Sequence, residues 1–355
     1  MTILLYRPSL DVTSGAGQLM LMQLRALRAA GERAEIGCER GALRFFLRSG
    51  TRARRVSTAD ARAARPGRLV VDHGLCVPAA AVTFVHNLAT EAAAHAPRAD
   101  WAGQVEADRR FFAELRGDVP LVANSRLVKN ALATRFAVAP ERIVVHHPGF
   151  DAALFNPRRA ATLRAAARRE LGVGTGSPLV GLITSGDFGK RGLDLFLESA
   201  ERIAAARPDA RFLVVGSKSL PAAARGHELV ASGRLEHRPK RRDPARWFAA
   251  LDLFLYPARF EEFGMVVLEA QAVGLAVVTS RAVGAAEVLP PVYERWLSDR
   301  PIPAELAERA LELLADERAR RELAAAGVAS AAAHDERAYA AATVETILAQ
   351  KRRLT

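Results

Sequence analysis

Short apolar runs alternate with longer amphipathic runs along nearly the whole chain, and this alternation predicts an α/β fold in which helices connect parallel strands. Two further observations divide the chain. The alternation breaks at 148–151 and 155–157, which contain proline, glycine and asparagine, and begins again at Leu179. A length of 355 residues is also sufficient for two domains with separate cores. The sequence therefore predicts two doubly wound, Rossmann-like domains.

The first domain is predicted to span residues 1–155. Its strands are short runs of apolar and β-branched residues, and its helices carry apolar residues at helical spacing. The predicted strands are 3–6, 34–37, 69–72, 82–85, 121–123 and 143–145. The predicted helices are 18–30, 100–115 and a third that Asn124 or Ser125 caps and that runs to Arg135.

The second domain is predicted to span residues 156–334 and to repeat this organisation. Its predicted strands are 179–184, 212–215, 235–237, 251–256 and 276–279, and a helix over 266–273 precedes the last of them. From Pro303 the chain is predicted to be helical, over 304–315, 317–326 and 336–348. Each half thus supplies the elements of a parallel sheet with crossover helices.

The charge of the chain is unevenly distributed. The net charge is +12, and residues 1–70 hold 13 arginines against five acids, which gives 13 − 5 = +8 for that segment. Such a field attracts nucleic acid or an anionic membrane surface, whereas codon bias alone would give a solvated arginine-rich face. The run 41–48 places Phe45, Phe46 and Leu47 between arginines, as in a short helix that lies in a bilayer interface. Nucleic-acid binding is not expected, because neither zinc-finger spacing nor an RNP-like aromatic pattern is present.

Neither a metal nor a cofactor is expected from the sequence. The cysteines, Cys38 and Cys76, lack metal-binding spacing, no Asp-x-Asp occurs, and no cluster of histidine, cysteine and carboxylate residues has ligand spacing. No apolar run is long enough to span a bilayer. We therefore expect a cytoplasmic protein, either free or peripheral on the inner face of the cytoplasmic membrane.

The most informative stretch is 261–269, Glu-Glu-Phe-Gly-Met-Val-Val-Leu-Glu. Glu261 falls in the predicted strand-to-helix loop, where α/β sheets bind ligands, and Glu269 falls near the second turn of the helix. The amides of Gly264, Met265 and Val266 at the helix start suit a phosphate. Two acids beside a phosphate site are suited to a nucleotide-sugar, whose hydroxyl groups they would bind.

A second signal is the glycine-rich turn at 184–196, which follows a predicted strand and precedes a helix. Gly186 lets the backbone approach a ligand closely. Lys190 and Arg191 can neutralise a diphosphate, whose developing charge must be stabilised when it is a leaving group. The sequence does not tell which of these two cations makes the main contact.

Two features of the first domain also follow predicted strands. Gly15 and Gly17 are in the predicted loop between the first strand and the first helix, but Met20 replaces the third glycine of a dinucleotide fingerprint, which disfavours a dehydrogenase. His86 lies just past strand 82–85, where its side chain can either bind a sugar hydroxyl or serve as a cap or core residue.

The stretch 261–269 resembles the E-x7-E signature of retaining glycosyltransferases of family 4. The turn at 184–196 is most similar to the lipopolysaccharide core glucosyltransferase I branch of that family. The chain departs from the family at Glu262, where Gly is usual, and at Ala276, where Pro is common. An arginine usual early in the turn is absent, and Arg191 takes the usual lysine position.

The resemblance implies a GT-B fold, in which two Rossmann-like domains face each other across a cleft and the last helix, here 335–355, crosses back to the first domain. It implies that Gly15 and Gly17 face the donor, that His86 orients the transferred sugar and that Lys190 or Arg191 binds the diphosphate. The other implied donor-binding residues, besides Glu261 for the sugar and Glu269 for the ribose, are Gly186, Phe263, Gly264, Met265, Val266 and Arg238.

The function implied is transfer of a sugar from a nucleotide-sugar, a UDP-hexose, to a hydroxyl of a cell-envelope glycan or glycolipid such as lipopolysaccharide core. Two alternatives stay open: a family 4 transferase with a soluble acceptor, and a non-catalytic protein that binds a nucleotide-sugar or glycan. Neither the sugar nor the acceptor follows from the sequence.

Overall fold

The computed structural model describes residues 1–12, 14–96, 99–240 and 243–354. These residues form two compact units. The first unit consists of Met1–Gly149 and Glu336–Thr355, and the second of Phe150–Asp335. No described helix combines the length and the apolar composition that crossing a bilayer requires.

In its described part, the first unit is built on a seven-stranded parallel sheet with the order β3-β2-β1-β4-β5-β6-β7. The strands are β1 (Thr2–Tyr6), β2 (Ala34–Cys38), β3 (Ala53–Arg55), β4 (Arg68–Asp72), β5 (Val82–Val85), β6 (Leu121–Ala123) and β7 (Ile143–Val145). The helices are α1 (Gly15–Ala29), α2 (Ala42–Ser49), α3 (Thr58–Arg62), α4 (Ala89–His95), α5 (Ala102–Glu114) and α6 (Arg126–Phe136), with 3₁₀ turns at Ala99–Trp101 and Pro140–Arg142.

The second unit contains, among its described residues, a five-stranded parallel sheet with the order β10-β9-β8-β11-β12. Its elements are α7 (Pro157–Glu170), β8 (Leu179–Ile183), α8 (Leu193–Ala206), β9 (Arg211–Gly216), α9 (Ala222–Arg225), α10 (Glu228–Ala231), β10 (Leu235–Pro239), α11 (Ala245–Ala250), β11 (Leu253–Tyr256), α12 (Met265–Ala272), β12 (Ala276–Thr279), α13 (Pro303–Ala315) and α14 (Glu317–Ala331). Three 3₁₀ turns lie at Gly284–Val288, Pro291–Trp296 and Ala332–His334. All of these strands except the edge strand β10 are buried along most of their lengths, as expected for a sheet covered by helices on both faces.

The last helix, α15 (Glu336–Leu354), belongs to the first unit. Val344 and Ile347 are buried in the core beneath α1, and the Nε2 of Gln23 in α1 donates to the Oη of Tyr339 at 3.0 Å. Lys351 forms an ion pair of 2.5 Å with Glu32. Apolar burial and two polar contacts therefore hold the end of the chain on the first unit.

The units divide earlier than the predicted boundary of 155/156. Phe150 is buried in the core of the second unit and forms a backbone bridge with Asp335. Phe155 lies in the same core, and Asn156 then caps α7 by accepting from the amide of Arg159 at 2.9 Å. The proline and glycine at 148–149 therefore mark the end of the first unit, because the aromatic residue that follows is already a core residue of the second.

Two other sequence expectations differ from the structure. Strand β3 was not predicted, because Ala53–Arg55 carries two arginines and no large apolar side chain; it is an edge strand that pairs with β2. Helix α1 begins at Gly15 and not at Gln18, because Ser14 caps it by accepting from the amide of Gly17 at 3.1 Å.

Candidate functional site

In the second unit, two turns meet at the edge where the strands end. β8 leads into the glycine-rich turn before α8, and its neighbour β11 leads into the loop before α12. Carboxyl ends of adjacent parallel strands lie at the same sheet edge, so the two turns are neighbours. Their backbones are joined directly, since the amide of Arg259 donates to the carbonyl oxygen of Lys190 at 3.1 Å.

The glycine-rich turn is itself held by short polar side chains. The hydroxyl of Thr184 accepts from the amide of Gly186 at 3.0 Å, and a carboxylate oxygen of Asp187 accepts from the amide of Lys190 at 2.9 Å. Such local bonds replace regular backbone pairing in turns. They place Lys190 and Arg191 next to each other, facing the loop that carries Glu261 and Glu262.

Four charged side chains form two ion pairs between these turns, and we call them the ion-pair cluster: Lys190, Arg191, Glu261 and Glu262. The Nζ of Lys190 donates to both carboxylate oxygens of Glu262, at 2.8 and 2.6 Å. The Nε of Arg191 lies 2.6 Å from Oε2 of Glu261. The side chains of Lys190 and Glu262 are only 7% and 1% exposed, so this pair is almost fully withdrawn from water.

The structure thus brings Glu261, Lys190 and Arg191 together, but the formal charges of the ion-pair cluster cancel. Sequence reasoning treated Glu262 only as a departure from the family pattern, whereas it is the partner of Lys190. The signal that could have found this pair is the coincidence of two adjacent cations in one turn with two adjacent acids in the other.

Glu261 is fixed in place by three kinds of contact. Its Oε2 accepts from the Oη of Tyr256 at 2.8 Å as well as pairing with Arg191. Its backbone forms a bridge with Val283, in which Glu261 donates to the carbonyl oxygen of Ala282. Among the described residues, Oε1 of Glu261 has no recorded partner, so this oxygen can accept a hydrogen bond from a ligand.

Arg191 is mostly buried, with 14% of its side chain exposed, and it retains an unused donor. Burial lowers the pKa of Arg191, but Glu261, Tyr256, Glu262 and Asp187 together more than offset this, and the pKa is raised above its usual value. Its Nη1 is buried without a hydrogen-bond partner in the described part of the chain. A Cβ at Gly186 would lie 3.0 Å from Nε and Nη2 of Arg191, so glycine at this position leaves room for the guanidinium. A buried donor without a partner is costly, which suits a site that an anionic ligand completes.

The start of α12 offers backbone donors. Gly264 precedes the helix with φ of 93°, a left-handed conformation that favours glycine, and no side chain caps the helix. Met265 and Val266 are partly exposed, and their amides have no recorded acceptor within the described residues, as is usual in a first helical turn. Phe263, by contrast, is buried in the core, and its carbonyl oxygen accepts from the amide of Ala285 at 2.6 Å.

Glu269 and Arg238 are not part of the ion-pair cluster. No hydrogen bond or ion pair to the carboxyl of Glu269 is recorded within the described ranges, and desolvation raises its pKa from 4.5 to about 8 although the side chain is partly exposed. Arg238 lies on β10, which β9 and β8 separate from β11. It pairs with Glu236 at 2.5 Å on its own strand.

In the first unit, the corresponding sheet edge carries histidines. Arg7, His73 and His86 follow the neighbouring strands β1, β4 and β5. The Nδ1 of His73 and the Nε2 of His86 are 2.8 Å apart, and an Nη1–H of Arg7 donates to the carbonyl oxygen of His73 at 2.6 Å. Burial and the charge of Arg7 lower the pKa of His86 to about 3, and burial, His86 and Arg7 lower that of His73 well below 6.5. Both imidazoles are therefore neutral at pH 7.

Sequence reasoning selected His86 and missed His73, although His73 carries the same signal, a histidine directly after a buried strand. Gly15 and Gly17 lie in the first turn of α1 and not in a loop. The amide of Gly17 is used by the Ser14 cap, and a Cβ at Gly17 would lie 2.0 Å from the carbonyl oxygen of Asp11. The glycine at 17 is therefore required by local packing.

Comparison with known proteins finds a sequence family that matches part of the second unit and several relatives of the chain. Residues 180–316 match the sequence model of the family described as "Glycosyl transferases group 1". The chain is 30% identical over 215 residues to a D-inositol 3-phosphate glycosyltransferase of Pseudarthrobacter chlorophenolicus. The matched segment covers 57% of this chain and 50% of that protein. It is 31% identical over 192 residues to a GDP-mannose-dependent monoacylated alpha-(1-6)-phosphatidylinositol monomannoside mannosyltransferase of Corynebacterium glutamicum, covering 50% of this chain and 49% of the relative. The chain spans about half the length of these curated relatives.

Solved structures are similar over nearly the whole chain. WaaG, a glycosyltransferase involved in lipopolysaccharide biosynthesis, superposes with a TM-score of 0.79 at 16% identity, covering 97% of this chain and 99% of WaaG. Anabaena Alr3699/HepE in complex with UDP-glucose gives a TM-score of 0.76 at 19% identity, covering 98% and 100%. These similarities confirm the predicted fold of two parallel α/β, Rossmann-like domains. The chain therefore consists of two parallel α/β, Rossmann-like domains like those of these solved glycosyltransferases, and its residues 180–316, which include the ion-pair cluster and Glu269, match the sequence model of the glycosyl transferases group 1 family.

Proposed function

We propose that this protein is a retaining glycosyltransferase that moves a sugar from a nucleotide-sugar to a hydroxyl of a cell-envelope glycan or glycolipid. The observation that carries the proposal is the convergence of Glu261 and Arg191 at the carboxyl edge of the second sheet, beside the uncapped start of α12. This arrangement lies within the segment that matches the glycosyl transferases group 1 family.

A UDP-hexose is the donor that we propose. The Anabaena protein with a similar fold was solved with UDP-glucose, and WaaG acts in lipopolysaccharide biosynthesis. The Corynebacterium relative uses GDP-mannose and acts on a phosphatidylinositol mannoside. Together they favour a glycan or glycolipid acceptor, with lipopolysaccharide core as the specific case that the sequence resemblance implies, and they make GDP-mannose the first competing donor to test.

In the proposed reaction, each group acts through an atom that is free to reach the donor. Oε1 of Glu261 accepts from a sugar hydroxyl while Tyr256 and Arg191 hold Oε2. The Nη1 of Arg191 and the amides of Gly264 to Val266 bind the diphosphate, and Glu269 binds the ribose hydroxyls. The positive charge comes from Arg191 and the helix start, so the proposal includes no metal and no cofactor.

Retention is proposed to follow from front-face transfer. The bond between the anomeric carbon and the diphosphate oxygen breaks, the acceptor oxygen bonds to the same face of that carbon, and the acceptor proton passes to the leaving diphosphate. No side chain has to act as a nucleophile. The donors around the diphosphate stabilise the charge that develops on it.

The test is sugar release and transfer from a panel of nucleotide-sugars by the wild-type protein and three variants. Glu261→Gln and Arg191→Ala should lower the rate by about a hundredfold or more, the usual effect of removing a group that binds the developing charge or holds the sugar. Asp209→Asn, which breaks an exposed ion pair with Arg207, is the control and should leave the rate unchanged. Wild-type rates in Glu261→Gln and Arg191→Ala would reject the assignment.

One observation favours a second candidate, a protein that binds a nucleotide-sugar or glycan without transferring it. Both cations of the ion-pair cluster are already paired with carboxylates, and both carboxylate oxygens of Glu262 accept from the Nζ of Lys190. Slow hydrolysis of UDP-hexose in the absence of an acceptor separates the two candidates, because only a transferase would cleave the donor bond.

We also propose that α2 docks on an anionic membrane surface. Phe45 is buried and anchors the helix, whereas Leu43, Phe46 and Leu47 are 72%, 39% and 70% exposed. These three residues lie at i, i+3 and i+4, and the exposed Arg44 and Arg48 flank them. A helix with an exposed apolar stripe and flanking cations is suited to the boundary between lipid headgroups and acyl chains.

The docking proposal is tested by flotation with liposomes. The wild-type protein should float with vesicles that contain anionic lipid, and both added salt and the Leu43→Ser/Leu47→Ser variant should weaken the association. Equal flotation with anionic and neutral vesicles would contradict the docking proposal and would leave the proposed glycosyltransferase activity unaffected.

A further inference from the structure

The two histidines of the first unit, His73 and His86, form a hydrogen bond of good geometry. Their nitrogens are 2.8 Å apart, their ring centres are 5.2 Å apart and their planes differ by 14°. The rings therefore meet edge to edge in nearly one plane, which is the direction in which an imidazole donates and accepts. Phe84 lies over His73, with ring centres 4.7 Å apart and planes 12° apart, and restricts its rotation.

Only one proton lies between the two rings. Both imidazoles are neutral, and a neutral imidazole has one nitrogen that donates and one that accepts. Either His73 donates from Nδ1 to Nε2 of His86, or His86 donates from Nε2 to Nδ1 of His73. The two alternatives give His86 opposite tautomers. If His73 donates, the proton of His86 is on Nδ1, and if His86 donates, its proton is on Nε2.

The burial of His73 selects between these alternatives. His73 is 1% exposed, and its Nε2 is buried without a hydrogen-bond partner in the described part of the chain. If Nδ1 accepted, the proton of His73 would be on Nε2, and a buried N–H would lack an acceptor. Buried N–H groups without partners are rare and costly. Donation from Nδ1 leaves a bare nitrogen at that position instead.

We propose that His73 is a positioning residue that holds His86 in the tautomer protonated on Nδ1. In this state the Nε2 of His86 accepts from His73, and its Nδ1 carries the only N–H that His86 offers to a ligand. Within the described residues, Nδ1 of His86 has no recorded partner. His86 therefore acts as a hydrogen-bond donor from Nδ1 and not as an acceptor.

The ligand atom that fits this donor is a neutral or partly negative oxygen. Under the proposed function this is a hydroxyl oxygen of the transferred sugar, and that identification rests on the proposed function. The tautomer of His86 does not rest on it, because it follows from the contacts within the first unit.

The experiment is a long-range ¹H–¹⁵N correlation spectrum of the full chain with ¹⁵N-labelled histidine at pH 7. The wild-type protein should show His86 and His73 as Nδ1-protonated rings, assigned with His86→Gln. His73→Phe keeps a ring against Phe84 but removes the donor, and it should shift His86 to the Nε2-protonated pattern. His73→Asn, whose amide N–H replaces the Nδ1–H, should keep the Nδ1 pattern, and His95→Phe serves as the control with no expected change.

An Nε2-protonated His86 in the wild-type spectrum would overturn the proposal, and this result does not depend on any variant folding. An unchanged His86 pattern in a folded His73→Phe protein would overturn it as well. If the protein is a transferase, His73→Phe should also lower kcat by about tenfold, the effect of one lost hydrogen bond, and His73→Asn should recover most of it. Absence of transferase activity in the wild-type protein would contradict the proposed function and leave the tautomer result standing.

Discussion

The carboxyl edges of the two sheets satisfy their buried polar groups in different ways. The edge of the second sheet holds four mostly buried charges as two ion pairs, in the ion-pair cluster, whereas the edge of the first sheet holds two neutral imidazoles joined by one hydrogen bond. A lysine or glutamate cannot be buried cheaply without an opposite charge, but a histidine loses its charge when burial lowers its pKa. The free energy of unfolding should therefore fall far more when a paired side chain is removed from the edge of the second sheet than when one is removed from the edge of the first.

The largest effect is expected for Glu262→Ala. The substitution leaves the ammonium of Lys190 buried without a partner, and breaking such a pair typically costs about 3–5 kcal/mol of unfolding free energy. Urea unfolding measures this loss. The double variant Glu262→Ala/Lys190→Met should recover most of the stability, because it leaves no unpaired charge. A single variant within about 0.5 kcal/mol of wild type would show that the pair is not buried in solution.

A pH-dependent effect is expected for Glu269→Gln. Burial raises the pKa of Glu269 from 4.5 to about 8, so between these values the unfolded chain ionises while the folded protein stays protonated. The contribution of Glu269 to the free energy of unfolding is therefore constant below pH 4.5 and decreases as the pH rises towards 8. Glu269→Gln removes this dependence, so its melting temperature should exceed that of wild type increasingly from pH 5 to pH 8. A constant difference over that range would show that the carboxyl is solvated.

A smaller effect is expected for His73→Phe. The substitution replaces a neutral ring by a ring of similar size and removes one hydrogen bond, which costs about 1 kcal/mol. Urea unfolding at pH 7 should therefore place this variant much closer to wild type than Glu262→Ala. Equal losses of unfolding free energy in the two variants would show that the two sheet edges do not differ in this way.

The smallest effect is expected for Asp209→Asn, which removes an ion pair of 3.1 Å at the surface. Water and salt screen such pairs, so they contribute little to stability. The same unfolding assay should show almost no change. A loss as large as that of Glu262→Ala would mean that burial does not distinguish the two pairs.

The alternation of apolar and amphipathic runs was sufficient to predict the two parallel sheets. It failed where local chemistry decided the outcome. β3 is an edge strand of Ala53–Arg55 that carries no large apolar side chain, and α1 begins at Gly15 because Ser14 caps it. Phe150 already belongs to the second core, so the proline and glycine before it mark the unit boundary better than the asparagine and proline after it.

The sequence was sufficient to predict which two turns form the candidate site, but not which of their side chains pair. Strand order at a parallel sheet edge brings residues 190–191 close to 261–262, but sequence does not tell which cation meets which acid. Glu262 was therefore missed as the partner of Lys190, and His73 as the partner of His86. Both pairings depend on side-chain directions across two loops, which spacing along the chain does not encode.

The most direct test of the account is a calorimetric titration of UDP-hexose and of UDP into the wild-type protein and Glu261→Gln. Glu261 is proposed to bind the sugar, and Arg191 and the start of α12 to bind the diphosphate. We expect the wild-type protein to bind both ligands, and Glu261→Gln to lose about tenfold or more in affinity for UDP-hexose while binding UDP undiminished. Failure of the wild-type protein to bind either ligand, or an equal loss for both ligands in Glu261→Gln, would contradict the account.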